Sequence, residues 1–420
     1  MSFFDIFKKK NFTTSVQKIC EMVRPPIGAG AQYSDASSAE QFREWIYIAA
    51  STNARNVAEA EVKLYSKKKP KVSIGKSLNK YNKKEIKQYG FGLTEDTTEI
   101  ISHPVIDLMM KPNDEDSAYS LLYKIQLFLE LTGDAFLLIE RNNAGIPTAL
   151  YPLFSQYVNI QTDGLNKVIA YQYGVPRDGK FDYVYQPDDI IHFKNFDPNN
   201  ILKGISPLQA SARSNALINS QTTYEEALNR NLGVPSGVLK YDKQSIKSED
   251  RELVEAKWQQ KFASVSRAGK LLVTDKDISY QNIGINPRDM NWKEGKKDCR
   301  ETILACFGIN PAILLTENVN RSNMEQAEKN YYNQTIKPRL KLISQTLTNQ
   351  LLNRNGISKG DLFLMIWKDA PTDSELLINE ARLLSSVGGL TINEIRYTFG
   401  WDEVDGGDKL IKAEVMPSEK

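Results

Sequence analysis

The 420-residue chain has few of the residues that build disulfide frameworks, metal sites or catalytic centres. It contains two histidines and three cysteines. Cys20, Cys299 and Cys306 are too few and too scattered for a disulfide framework, so we expect a reducing, intracellular compartment. No run approaches the roughly 18 apolar residues of a spanning helix, so we expect no membrane segment. The start, MSFFDIFKKK, places its basic residues after the apolar ones, the reverse of a secretory signal.

Motifs for catalysis and nucleotide binding are also missing. The triplet GKS at 75–77 lacks the glycine of a phosphate-binding loop, because Pro70 stands at that position. No HExxH or CxxC occurs. His103 precedes a proline at a predicted helix start, and His192 lies in a predicted strand; neither has a partner at metal-ligand spacing. We therefore expect no catalytic residue, no metal and no cofactor, and interpret His192 as a hydrogen-bonded residue of a sheet.

The chain has little net charge of either sign. Its 54 basic and 52 acidic residues give +2, and a hydrophobic fraction of 41% is typical of globular proteins. Such a chain has no overall positive field for nucleic acid, so a contact with a polyanion must come from local clustering. The length predicts roughly two to four domains.

One basic cluster lies on a predicted helix that a Gly-Ile-Asn-Pro sequence ends. Its residues follow i, i+3, i+4, i+7 spacing and therefore share one helix face: Lys293, Lys296, Lys297 and Arg300. Gly308 suits the C-terminal cap and Pro311 cannot continue the helix. The stripe either faces a polyanion or is a solvated surface with ordinary intrahelical ion pairs.

The succession of predicted elements indicates an α+β protein. Helices followed by strands that are separated by turn residues predict a mainly antiparallel sheet in 40–203. The lysine-rich segment at 66–90 is predicted to be an exposed loop. Two long helices, Ser206–Asn231 and Pro287–Phe307, carry a βαββ insert between them. The first of these helices is polar on nearly all sides, which is typical of an inter-subunit or bridging element.

The C-terminal part is predicted to be mostly helical. A helix from about Glu325 to Asn353 contains Pro338, which predicts a kink or break. The strand Leu362–Trp367 should return to the sheet. Helical segments at Ser374–Ser386 and Asn393–Phe399 complete the chain.

The order of these segments resembles the HK97-like family of tailed-bacteriophage portal proteins, over roughly residues 42 to 370. The segments that carry the resemblance are MSFFDIFKKK, FREWIYIAASTNARNVAEAEVKLY, HPVIDLMMKPNDEDSAYSLLYKIQLFLELTGDAFLLIERNNAGIPTALYPL, DDIIHFKN, GISPLQAS, NLGVPSGVL and NWKEGKKDCRETILACFGINPAILL. Each is loosely specified, but their order and spacing together are specific.

The resemblance implies a portal fold that forms a ring of twelve copies. The implied division is an N-terminal arm (1–39), a wing (40–203), a first stem helix (204–231), a clip (232–286), a second stem helix (287–307), a tunnel loop (308–323), a wing return helix and strand (324–371) and a crown (372–420). The ring would sit at one capsid vertex of a virion assembled in the host cytoplasm.

The resemblance also implies partners and site residues. The ring would pass double-stranded DNA and contact the large terminase, the major capsid protein and a head-tail adaptor. The four basic residues of the stripe are the candidates for the DNA channel, or else form inter-subunit ion pairs. The tunnel-loop candidates are Glu317, Asn318, Asn320 and Arg321. The alternatives are another phage capsid or tail structural protein, and a nucleic-acid-processing enzyme without a recognisable motif.

Overall fold

The computed structural model describes residues 43–67, 75–77, 97–163, 167–175, 181–230, 237–241, 278–282, 292–315, 321–371, 374–386, 389–398, 401–402 and 404–409. The chain divides into two compact units, Met1–Pro311 with Ile336–Lys368, and Ala312–Thr335 with Asp369–Lys420. The predicted wing return segment, 324–371, is thus divided between them. Among the described residues, no helix combines the length and hydropathy that crossing a bilayer requires.

The first sheet of the larger unit joins distant parts of the chain. After helix α1 (Glu44–Ala58), strand β1 (Glu61–Ser66) pairs antiparallel with β3 (Thr98–Ile100) on one side and with β12 (Leu362–Trp367) on the other. The predicted return of 362–367 to the sheet is confirmed.

The same sheet corrects one part of the lysine-rich segment. Gly75–Ser77, predicted to be loop, forms strand β2 against β3. A three-residue strand has too few positions to show an alternating pattern, and its pairing partner lies more than twenty residues away in the chain. The GKS triplet is therefore part of a strand.

Two further sheets build the rest of the antiparallel core. One contains β4 (Asp134–Arg141), β5 (Pro147–Leu153) and β9 (Ile190–Lys194), and the other contains β6 (Val158–Thr162), β7 (Val168–Tyr173) and β8 (Tyr183–Tyr185). Apolar side chains from both sheets pack into one cluster, including Phe136, Leu153, Val158, Tyr171, Tyr173 and Ile190. Every strand pair in the described part is antiparallel, as predicted.

Two capped helices cover this core. Helix α2 (Pro104–Met110) begins at His103, whose Nδ1 accepts a hydrogen bond from the Val105 N–H at 3.2 Å. Helix α3 (Ala118–Leu131) begins with a capping box in which Ser117 and Ser120 exchange side-chain to backbone hydrogen bonds. It ends before Gly133, which has a φ of 82°. His103 therefore acts as the N-cap of α2.

The two predicted long helices are present. Helix α4 (Pro207–Arg230) is followed by the antiparallel strands β10 (Gly237–Tyr241) and β11 (Ile278–Asn282), and helix α5 (Trp292–Cys306) comes after them. The other predicted parts of the insert, the helix at 248–263 and the strand at 270–274, lie outside the described residues. So do the arm at 1–39 and the N-terminal end of the predicted basic helix, 287–291.

The remaining described elements follow α5. They are α6 (Pro311–Leu314), α7 (Arg321–Tyr331), a π-helical turn (Tyr332–Ile336), α8 (Lys337–Leu347), a second π-helical turn (Thr348–Asn353), α9 (Ser374–Ser386) and α10 (Ile392–Thr398). The predicted irregularity near Pro338 is confirmed, because the first π-helical turn directly precedes it and proline has no N–H for the regular ladder. Arg321 opens α7 instead of lying in a loop, and Glu317, Asn318 and Asn320 lie outside the described residues.

Candidate nucleic-acid interface and its anchorage

Helix α5 contacts α4 at a glycine, Gly295. A Cβ atom added to Gly295 of α5 would come within 3.2 Å of Gln221 Nε2 on α4. Nearby, Lys296 Nζ lies 2.5 Å from Glu225 Oε2, so an ion pair also joins the two helices. The glycine lowers the intrinsic helix propensity of α5, and the close approach is what its missing side chain permits.

The structure divides the predicted basic stripe into two inward and two exposed residues. Lys296 pairs with Glu225, and the Arg300 guanidinium lies 5.4 Å from the centre of the Trp45 ring on α1. Lys293 and Lys297 are exposed, and the Lys297 ammonium is 3.9 Å from the Glu301 carboxylate. Of the four predicted channel residues, only two therefore present their charge to solvent.

Carboxylates border these two lysines on the solvent side of α5. Glu294 and Asp298 are exposed, and the Glu301 side chain keeps 44% of its surface accessible. The exposed side of this helix therefore carries two lysines and three carboxylates, a net charge of −1. Such a surface attracts a polyanion weakly, because each lysine is offset by a nearby carboxylate.

The C-terminal end of α5 closes with a Schellman motif. The Gly308 N–H donates to the Ala305 carbonyl at 3.0 Å, and the Ile309 N–H donates to the Leu304 carbonyl at 2.9 Å. Gly308 has a φ of 74°, a conformation that glycine adopts without a Cβ penalty. The predicted helix stop at this glycine is confirmed.

A buried polar network holds this helix end in the larger unit. The Phe307 carbonyl accepts hydrogen bonds from Asn53 Nδ2 at 2.9 Å and Arg339 Nη2 at 3.1 Å. The Glu130 carboxylate accepts from Arg339 Nε at 2.8 Å, Gln126 Nε2 at 2.6 Å and Asn53 Nδ2 at 3.1 Å. Glu130 is only 1% exposed, so its charge depends on these partners. The network joins α1, α3 and α8 to the end of α5.

A second set of hydrogen bonds holds the segment that leads into α4. The Gly204 N–H donates to both oxygens of the buried Asp134 carboxylate, at 2.9 and 3.0 Å. His192 Nε2 lies 2.8 Å from the same carboxylate, which confirms the prediction of a hydrogen-bonded sheet histidine. A Cβ on Gly204 would overlap the Gly133 carbonyl oxygen, so this backbone contact requires glycine. Ser206 then caps α4, because its Oγ accepts from the Gln209 N–H at 2.9 Å.

Asn53, Glu130 and Arg339 were not predicted from the sequence to hold this helix end. A signal was available for Glu130, because a carboxylate within the otherwise apolar stretch LFLEL must be exposed or paired. Its partners lie 77 and 209 residues away in the chain, and no local pattern identifies them. In the described ranges, no group of three or more histidine, cysteine or carboxylate side chains is arranged to hold a metal ion.

Comparison with known proteins places this geometry in a family. A family model described as phage portal protein matches residues 45–400. The portal protein of Enterobacteria phage HK97 is 22% identical over 326 residues, which is 76% of this chain and 74% of that protein. An uncharacterized protein of Rickettsia felis is 27% identical over 326 residues, 75% of this chain and 82% of its own length.

Solved structures share the fold. The neck of an empty GTA particle superposes with a TM-score of 0.56 at 20% identity and covers 93% of this chain and 100% of its own. An HK97-family phage portal protein from Corynebacterium diphtheriae superposes with a TM-score of 0.52 at 10% identity and covers 81% of this chain and 96% of its own. At 20% and 10% identity, these structures show only that the helices and strands are arranged in the same fold.

Proposed function

Because this chain belongs to the phage portal protein family, we propose that it forms a ring of twelve copies at one capsid vertex, through which double-stranded DNA enters and leaves. The family is a structural one, and the resemblance found in the sequence is confirmed. A related fold, the neck of a native GTA particle computed with C12 symmetry, supports the twelvefold ring.

The observation that carries this proposal is the anchored pair of α4 and α5. A long polar helix cannot stabilise itself by burying an apolar stripe, so copies of the pair are suited to packing around a shared channel. The buried Glu130–Arg339 network and the Asp134–Gly204 contact hold the two helix ends in the larger unit. This pair is the stem of the ring.

Lys293 and Lys297 line the channel, and Lys296 and Arg300 support the stem from within. A channel must hold DNA loosely, because each lysine–phosphate contact releases counterions and tightens binding. Two exposed lysines bordered by carboxylates meet that requirement better than four unopposed charges. The tunnel-loop candidates Glu317, Asn318, Asn320 and Arg321 stay predictions for the narrowest part of the channel.

The remaining partners follow from the same assignment. The β10–β11 insert is the clip, on which the large terminase and later a head-tail adaptor dock, and the larger unit contacts the major capsid protein. The ring is part of the virion and uses neither a cofactor nor a membrane. The chain performs no catalysis of its own.

Electron microscopy of the purified full chain tests the proposal. We expect end views of rings with a central hole and twelvefold symmetry, and a reconstruction in which the Lys293 and Lys297 side chains point into the hole. A single particle size without a hole, also in the presence of the major capsid protein, would contradict it. Magnesium-dependent DNA cleavage that a chelator abolishes would instead favour the enzyme alternative.

A further inference from the structure

Helix α4 has a solvent-exposed stripe beside its contact with α5. Its members are spaced i, i+4, i+7, i+11 and therefore share one side of the helix: Arg213, Leu217, Ser220 and Tyr224. Leu217 is 50% exposed and Tyr224 is 53% exposed. A leucine and a tyrosine two turns apart on one exposed helix side resemble the seam of a helix pair.

Arg213 carries the charge of this stripe. It is exposed, and it forms no ion pair with any residue in the part of the chain that the structure describes. Gln221 and Glu225, which contact α5, lie beside this stripe, since Gln221 is four residues from Leu217 and three from Tyr224. The exposed surface of Arg213 and Leu217 is therefore accessible to a second molecule.

The solvent side of α5 has the opposite charge at its wing-proximal half. Asp298 is exposed, and the Glu301 side chain retains 44% of its accessible surface beside a loose 3.9 Å contact with Lys297. The two carboxylates are three residues apart and lie on one side of the helix. A cation from a neighbouring molecule can therefore reach them.

Arg213 and Glu301 lie at nearly the same height along the helix pair. The start of α4 and the end of α5 are both anchored to the core, through Asp134 and Asn53, so the two helices run antiparallel and meet at Gln221 and Gly295. Arg213 is eight residues, or about 12 Å, from Gln221 toward the anchored ends, and Glu301 is six residues, or about 9 Å, from Gly295 in the same direction. The symmetry axis of the proposed ring runs along the helices, so a rotation from one copy to the next keeps Arg213 and Glu301 at these heights.

We infer that the Arg213–Tyr224 stripe of one copy packs against the acidic side of α5 in the next copy, with Arg213 paired to Glu301 across the boundary. This inference rests on the proposed ring and adds the contact that closes it. Leu217 and Tyr224 lose their exposure in this contact, which favours association. The ion pair selects the register, since a shifted neighbour would leave Arg213 without its carboxylate.

Charge reversal in the full-length chain tests the contact. The variants are Arg213→Glu, Glu301→Arg and the double variant, with Lys167→Glu as a matched reversal at an exposed position between β6 and β7. Native mass spectrometry at one fixed concentration measures the fraction of chain in rings. We expect each stem reversal to lower this fraction about tenfold or more, because like charges then face each other in every boundary. The double variant should recover ring formation, and Lys167→Glu should assemble like the unmodified chain.

The outcomes separate this contact from the ring itself. Equal ring fractions for Arg213→Glu and the unmodified chain would overturn the contact while leaving the ring intact. Failure of the double variant to recover, with a circular dichroism melting curve like that of the unmodified chain, would overturn it as well. If the unmodified chain forms no ring, the proposed function fails first.

Discussion

Removal of Arg339 is the sharpest test of how the stem is anchored. The Arg339→Met substitution keeps much of the aliphatic stem but removes the guanidinium from Glu130, which is 1% exposed. It also removes one of the two side-chain donors to the Phe307 carbonyl. A buried carboxylate then remains with only amide donors, so the cost is mainly that of an unpaired charge.

The expected magnitude follows from this burial. Removing one partner of a buried ion pair costs about 3–5 kcal/mol of stability. Because the Arg339 side chain is partly exposed, we expect a loss at the lower end of this range, about 3 kcal/mol. Because the unfolding entropy of a chain of 420 residues corresponds to about 1–1.5 °C per kcal/mol, the melting temperature should fall by about 3–5 °C. The double variant Glu130→Leu with Arg339→Met should recover a large part of this loss, because no charge is left buried.

Differential scanning calorimetry of the full-length variants measures these changes. Lys63→Met serves as the control, because its pair with Glu61 is largely exposed and is worth only about 0.2–1 kcal/mol. A melting temperature of Arg339→Met within about 1 °C of the unmodified chain would refute the reasoning. So would a double variant that is less stable than Arg339→Met alone.

Three further predictions address the channel, the core and the entry to α4. Replacing Lys293 and Lys297 by alanine should make DNA binding by the assembled ring less dependent on salt, because fewer counterions are released. Fluorescence anisotropy across salt concentrations measures the slope of log affinity against log salt concentration. An unchanged slope would show that neither lysine contacts DNA in the channel. Lys296→Ala should leave that slope unchanged and lower the melting temperature instead, because its partner Glu225 is in the same chain. Burial raises the pKa of Tyr171 to about 12 from 10.0, so the folded state keeps this proton longer than the unfolded state does. Stability should therefore fall by about 2–3 kcal/mol as the pH rises from about 10 to 12, and a melting series of Tyr171→Phe should lack that part of the decline. Gly204→Ala should destabilise the chain by about 3 kcal/mol or more, because the added Cβ overlaps backbone atoms, and a melting temperature like that of the unmodified chain would contradict the close contact.

Local chemistry allowed much of the architecture to be predicted from the sequence. Glycine at a helix end, as at Gly308, acts through its own backbone conformation, and Asn142–Gly145 forms its turn from adjacent residues, with Asn142 Oδ1 accepting from the Ala144 N–H at 3.0 Å. The hydrophobic periodicity of the strands also acts over a few residues. These features indicated an antiparallel α+β fold with two long helices, and together with their order they indicated the family.

The tertiary structure decided what each helix face contacts. Spacing placed Lys293, Lys296, Lys297 and Arg300 on one stripe, but the rotation of α5 about its axis depends on packing against α1 and α4. That packing directs Lys296 to Glu225 and Arg300 to Trp45, and it leaves the other two lysines in solvent. A periodic pattern defines which residues lie together on a helix, whereas their partners come from distant parts of the chain that only folding brings near.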